Sequence, residues 1–224
     1  MTPVIDPNFS VFGLVQRVQS SGMLLNHRRT MSMVSYEIEN ATRIDGARTR
    51  LFSGFQYMSK FIPQISRYTE IALKAESVYV FGVQDVSLPV LPNIHYVPLQ
   101  PSDQLAKEWF LVSYGREYFS ALATEELSRF HDPDEQRIFK GVWTFEHGMV
   151  QILHEWLSSA VDVQAMSITD TDLNLARQMK LISATLERFS ERLLKRYQKS
   201  VIASEGQTVI QTALQPALAG TEKS

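Results

Sequence analysis

Two apolar runs stand on either side of a proline-punctuated crossing between Ser77 and Gly115. Ser77-Val78-Tyr79-Val80-Phe81-Gly82-Val83 is β-branched or aromatic at nearly every position, the pattern of a strand buried on both faces. Glu108-Trp109-Phe110-Leu111-Val112-Ser113-Tyr114 has the same character. Pro89, Pro92, Pro98 and Pro101 confine the intervening chain to loops and one short strand, Ile94 to Val97. Downstream, Gly115-Arg116-Glu117 suits a hairpin turn into Tyr118 to Thr124, where Phe119, Ala121 and Ala123 share one face. Ile138 to Phe145 reads as a further strand, with Phe139, Trp143 and Phe145 on one side. The pattern predicts an α/β fold with a mixed sheet of about five strands, its middle formed by the two apolar runs.

Helical spacing dominates the N-terminal section. Ser10 is placed to cap a helix carrying Val11, Leu14, Val15 and Val18, and Ser20-Ser21-Gly22 stops it. A second helix is expected from about Thr30 to Ile44, with Met31, Val34, Ile38 and Ala41 inward, ended by Asp45-Gly46. A third is expected from about Thr49, with Leu51, Phe55, Met58 and Ile62 in register, ending at Pro63. Ser66 to Ala75 forms a short helix, with Glu70 and Lys74 spaced to pair. After Gly148, the residues Met149, Ile152, Leu153, Trp156, Leu157 and Ala160 make a wide apolar stripe suited to packing on the sheet.

Beyond Ala165 the pattern changes. Thr169 starts a long expected helix, and Leu175, Met179, Ile182, Leu186, Phe189 and Leu193 alternate four- and three-residue spacing as a coiled-coil seam does. The basic residues Arg188, Arg192, Lys195, Arg196 and Lys199 are interrupted by Glu187 and Glu191 and read as a solvated face. The division is therefore 1–165 for a folded domain, 166–200 for the long C-terminal helix, and 201–224 for a disordered tail with one short helix near Val209 to Leu214.

Totals change this picture little. The 224 residues are 44% hydrophobic and 21% charged, with a net charge of −2, so no basic field favours nucleic acid. The chain has no cysteine, which excludes disulfides, thiol catalysis and thiolate metal sites. No signal pattern or long apolar span is present, and a cytoplasmic, membrane-free protein is expected.

Candidate chemistry is sparse. No phosphate loop, nucleophile elbow or zinc pattern occurs. His147 and His154 lie two helical turns apart, ~10.5 Å, too far to chelate one ion directly, so no metal site is expected and a surface or helix-end histidine is the simpler reading. Glu125-Glu126, Asp132 and Asp134 read as solvated charges. Glu108 is different: it opens an apolar run, where a charge is expensive to bury without a partner. Arg67 is its candidate partner. A buried ion pair fixing the crossing is preferred over a polar group inside a ligand pocket. Tyr79, Phe81, Asp85, Trp109 and Trp143, with Arg67 and Glu108, are the candidate ligand contacts, although aromatics at strand spacing more often form core. No cofactor follows from the residues.

Leu51-Phe52-Ser53-Gly54-Phe55-Gln56, Arg67-Tyr68, Ser77 to Asp85, Glu108-Trp109-Phe110 and Gly141-Val142-Trp143-Thr144-Phe145 occur in that order over about residues 10 to 160. The ordered set resembles the DICT sensory domain of diguanylate cyclases and two-component systems. The resemblance implies a bacterial, often cyanobacterial, signalling protein without intrinsic catalysis, of a family commonly fused to cyclic-dinucleotide enzymes, histidine kinases or transcription-factor domains. It supplies no catalytic residues and no ligand. A stand-alone protein is expected, its signal leaving through the C-terminal helix to a protein partner or a second copy. The rival expectations are a small enzyme acting on a nucleotide-like metabolite through Glu108, Asp85 or His95, and a purely structural adaptor.

Overall fold

The computed structural model of the chain describes residues 5–18, 24–128, 133 and 136–218, with side chains described for all of these except 24–26 and 199–218. Ser20-Ser21-Gly22, His131, Asp132 and Asp134 lie outside the described residues. The chain forms two compact units, one up to Thr185 and one from Leu186.

The first unit is built on a seven-stranded mixed sheet: β1 (Leu24–His27), β2 (Arg50–Tyr57), β3 (Ser77–Val83), β4 (Ile94–Leu99), β5 (Glu108–Tyr114), β6 (Phe119–Glu126) and β7 (Ile138–Thr144), in the order β1-β7-β6-β5-β2-β3-β4. From β1 to β2 every neighbour is antiparallel; β2, β3 and β4 run parallel. The five predicted strands are all present, and β1 and β2 are additional. β3 is buried along its whole length, as its continuous apolar pattern requires. β4 is an edge strand, which explains how Pro98 is tolerated inside it.

The third predicted helix is instead the strand β2. Its Leu51, Phe55, Met58 and Ile62 do match a helical stripe, but Leu51-Phe52-Ser53-Gly54-Phe55 is also a short, nearly continuous apolar run. Periodicity alone does not separate those cases. Pairing on both edges decided it, with β3 on one side and β5 on the other. β2 therefore separates β3 from β5, and the two runs expected to be neighbours do not touch as strands. Gly54 is needed there because a Cβ would stand 2.4 Å from Phe110 Cε1.

Helices cover both faces. On one lie α1 (Val11–Val18) and α4 (His147–Ala160), over a core of Phe52, Phe81, Phe110, Val112 and Tyr114. Ser10 caps α1 as expected, its Oγ accepting from the Gly13 amide at 2.7 Å. Phe12 replaces Val18 on the inner face, since Val18 is exposed. Glu146 caps α4, accepting from the amides of Gly148 and Met149. On the other face lie α2 (Arg28–Arg43) and α3 (Ile65–Ala72). Met31, Val34, Ile38 and Ala41 are buried as predicted. Gly46, at φ +74°, turns the chain out of α2. Glu70 pairs with Arg43 at 3.1 Å rather than with Lys74.

A 3-10 turn, Asp170–Asp172, is capped by Thr169, and the long helix α5 (Leu175–Leu218) begins after it. It thus starts later than Thr169 and continues beyond Lys199. Within the first unit, Gln178, Leu181 and Thr185 of α5 are buried. The Gln178 amide takes both the N–H and the C=O of Phe119, each at 3.0 Å. Leu175 and Met179 are 57% and 62% exposed. The second unit contains the rest of α5, where Leu186, Leu193, Leu194 and Tyr197 are exposed.

Candidate ligand-binding site

A cavity of about 220 Å³ lies between α2 and the sheet. Its lining follows from helical spacing: Arg28, Ser32, Ser35, Tyr36 and Glu39 recur every three or four residues, so one stripe of α2 faces inward beside its apolar stripe. β2 contributes Ser53, Phe55 and Gln56, β5 contributes Trp109, and α3 contributes Tyr68. Lys60, Gln64 and Arg137, the last preceding β7, also line it.

The polar groups are held in two networks. In the first, the Tyr68 hydroxyl bridges Glu39 Oε1 and Ser53 Oγ at 2.8 Å each. Arg67 Nη2 pairs with Glu39 Oε2 at 3.0 Å, and its guanidinium stacks 3.7 Å above the Tyr36 ring. Burial pushes the Glu39 carboxyl up, against the opposing pull of Arg67 and of the Tyr68 hydroxyl. Burial, and then the Glu39 charge, push the Tyr68 phenol well above its usual range. In the second network, Arg137 grips Glu126 through Nε and Nη2, both at 2.6 Å, and donates to Gln56 Oε1 at 2.9 Å. Gln56 donates in turn to Glu126 at 3.1 Å, from a backbone held at φ 60° where β2 is irregular. A non-glycine residue pays for that conformation, and such strain concentrates at functional sites. Trp109 completes the wall, its Nε1 donating to Ser35 Oγ at 3.1 Å and its ring standing 5.8 Å from the Arg28 guanidinium.

Of the sequence candidates, Trp109 lines this cavity and Arg67 stands behind Glu39. The expected Arg67–Glu108 pair does not exist. Glu108 is fully buried on the opposite face of the sheet, where its carboxylate accepts from Ser10 Oγ at 2.5 Å and from the amides of Val11 and Phe12 at 2.9 and 3.1 Å. It caps α1 from a distant part of the chain. Burial raises its pKa to about 7, while Ser10 and the two amides pull it down. Tyr79 and Phe81 are core on that same face; Tyr79 stacks on Phe52 at 5.0 Å, and Phe81 meets Phe110 edge-on. Asp85 is exposed and accepts from the Ser59 amide, and Trp143 Nε1 donates to Ser120.

Other expectations shift with the geometry. Glu126 is not a solvated charge but the buried partner of Arg137. His147 sits at a helix start against Tyr114, whereas His154 is fully buried and burial lowers its pKa to about 3. Among the described residues no group of three His, Asp or Glu side chains is placed to hold a metal ion. The sequence reading missed Ser35, Tyr36, Glu39, Gln56 and Arg137. The one available signal was the second, polar stripe of α2; Gln56 and Arg137 converge only through the sheet.

No curated protein and no solved structure matches the chain. The family model for the sensory domain in diguanylate cyclases and two-component systems matches residues 11–127, just over half of the chain, and so takes in every cavity residue except Arg137. The Gly141 to Phe145 segment lies outside that match. The chain belongs to the DICT family of sensory domains.

Proposed function

We propose that the chain is a non-catalytic receiver in which a small molecule bound between α2 and the sheet alters the root of α5, which hands the signal to a protein partner. The observation that carries this reading is the course of α2. It supplies five of the cavity side chains, and just beyond its C-terminal end the Asp45 carbonyl accepts from Arg177 of α5 at 2.7 Å. A shift of α2 on ligand binding therefore reaches α5 through one direct contact. The Asn174 amide on Arg116 and the Gln178 amide on Phe119 fix the same root to the sheet. A helix suits this output because small shifts are discrete once side chains are packed.

The stripe Leu175, Met179, Ile182, Leu186, Phe189 and Leu193 is the proposed partner seam, with a second copy of the chain as its first occupant. A long helix in water is held chiefly by packing of an apolar face, which favours such pairing. No described helix is long and apolar enough to cross a membrane. The proposed setting is the bacterial cytoplasm, with a two-component or cyclic-dinucleotide protein as partner.

Native mass spectrometry of protein purified from its source tests the receiver. A co-purifying small molecule is expected in the wild type and absent from Ser32→Phe, which fills the cavity from a half-buried helix position. Hydrogen exchange then tests transmission: the ligand should change protection in α5 of the wild type and leave it unchanged in Arg177→Gln. Unaltered ligand retention in Ser32→Phe would place the bound molecule outside this cavity, and a wild type that retains no small molecule would leave the adaptor reading.

A further inference from the structure

The exposed face of α5 is not the one that its largest residues mark out by spacing. Gln178, Leu181 and Thr185 are buried within the first unit, and Ile182 and Phe189 are half-buried. Among the exposed apolar positions, Met179, Leu186 and Leu193 recur every seven residues. Ala176, Ser183 and Ser190, also exposed, recur every seven residues beside them. Small and large side chains therefore alternate along one face at three- and four-residue spacing, as the two core positions of a coiled coil do. The Ser183 hydroxyl donates to the Met179 carbonyl one turn back at 3.0 Å, so it is satisfied within the helix and suits a buried contact. The series is short. The next two positions seven residues apart after Leu193 are Ser200 and Gln207.

From this pattern we infer that α5 pairs with α5 of a second copy in antiparallel direction, about a two-fold axis level with Ala184 and Thr185. That arrangement rests on the proposed reading, in which a second copy occupies the α5 seam. Parallel and in register, Ser183 would face Ser183 and Ala176 would face Ala176, leaving gaps between the large layers. Antiparallel, Ala176 meets Leu193, Ser183 meets Leu186 and Ser190 meets Met179 of the second copy, so every small residue receives a large one. The short stripe is used completely, each contact occurring twice by symmetry. Charge selects the same register. Lys180 and Glu187, both exposed, follow Met179 and Leu186 and flank the stripe on one side. Antiparallel helices bring equivalent flanks together, so Lys180 meets Glu187 of the second copy. A slip of one heptad either way sets Lys180 against Lys180 or Glu187 against Glu187, which penalises both alternatives.

The chain has no cysteine, so introduced thiols report the direction of pairing. Ala176→Cys and Leu193→Cys, at exposed positions, are oxidised with copper-phenanthroline separately and as a mixture of the full-length chains. The mixture is expected to give a disulfide-linked dimer and neither variant alone, because equivalent residues stand ~26 Å apart along an antiparallel pair. Lys180→Glu and Glu187→Lys should each weaken self-association about tenfold in sedimentation, and mixing the two should restore it, since every flanking pair is then again of opposite charge. Self-linkage of Ala176→Cys, absence of linkage from the mixture of a dimeric protein, or no recovery on mixing the charge variants would overturn the antiparallel arrangement and leave α5 as the dimer helix. A wild type that is monomeric at every accessible concentration would overturn both.

Discussion

Glu108 is a buried carboxylate satisfied by backbone amides and a hydroxyl rather than by a cation. Its removal strands the first two amides of α1 in the interior. Glu108→Ala is expected to destabilise by several kcal/mol, since each unsatisfied buried donor costs about 1–3 kcal/mol, as a denaturant midpoint would report. With the native pKa raised from 4.5 to about 7, the folded state holds the proton more tightly than the unfolded chain. The stability this confers is complete below pH ~4.5 and is lost as pH rises through about 7, by up to about 3 kcal/mol. Glu39 is also raised, so the informative quantity is the difference between wild type and Glu108→Gln. That difference should change between pH 5 and pH 8, and a pH-independent difference would show Glu108 ionised throughout. Arg67 belongs to another circuit. Arg67→Gln and Glu39→Gln should each cost about 3–5 kcal/mol and the double variant much less than their sum. Arg67→Gln and Glu108→Gln, on opposite faces of the sheet, should add.

At the scale of elements, β2 decides the architecture. It lies between the antiparallel and the parallel halves of the sheet, carries cavity residues Ser53, Phe55 and Gln56, and gives up a side chain at Gly54 to admit the Phe110 ring. Gly54→Ala is expected to cost about 1–3 kcal/mol, the range for an overpacked core methyl. Phe110→Leu in the same protein should recover part of that loss, because the clash is with the ring edge. Loss of stability without any recovery would place the strain in the β2 backbone. The helix α2 shows the complementary arrangement: one apolar stripe holds it to the sheet while the adjacent polar stripe lines the cavity, so lining and anchoring use different residues of one element.

For the whole molecule the decisive question is whether the exposed apolar stripe of α5 pairs with a second copy of the chain. Leu186→Glu together with Phe189→Glu is expected to abolish self-association in light scattering while circular dichroism of the folded domain is retained. A wild type that is monomeric at every accessible concentration would shift the seam to an intramolecular role or to a different protein. The exposures of Leu175, Met179, Leu186 and Leu193, 57%, 62%, 43% and 39%, are large for apolar residues at seam spacing and favour a partner.

Local pattern sufficed wherever the signal is written in neighbouring residues. The continuous apolar runs of β3 and β5, the alternation of β6, the Ser10 cap and the inner stripe of α2 all follow from spacing and side-chain chemistry, and the ordered motifs carried the family. Residues 50–57 illustrate where that ends: helix and strand spacing both fit, and pairing with β3 and β5, far along the chain, selected the strand. Glu108 illustrates it for chemistry. The sequence marked a buried charge that needed partners, but those partners were the amides of α1, close only after β5 and α1 had docked. The cavity depended on tertiary structure most of all. Its donors and acceptors come from α2, β2, α3, β5 and the start of β7, and only the sheet order brings them onto one face.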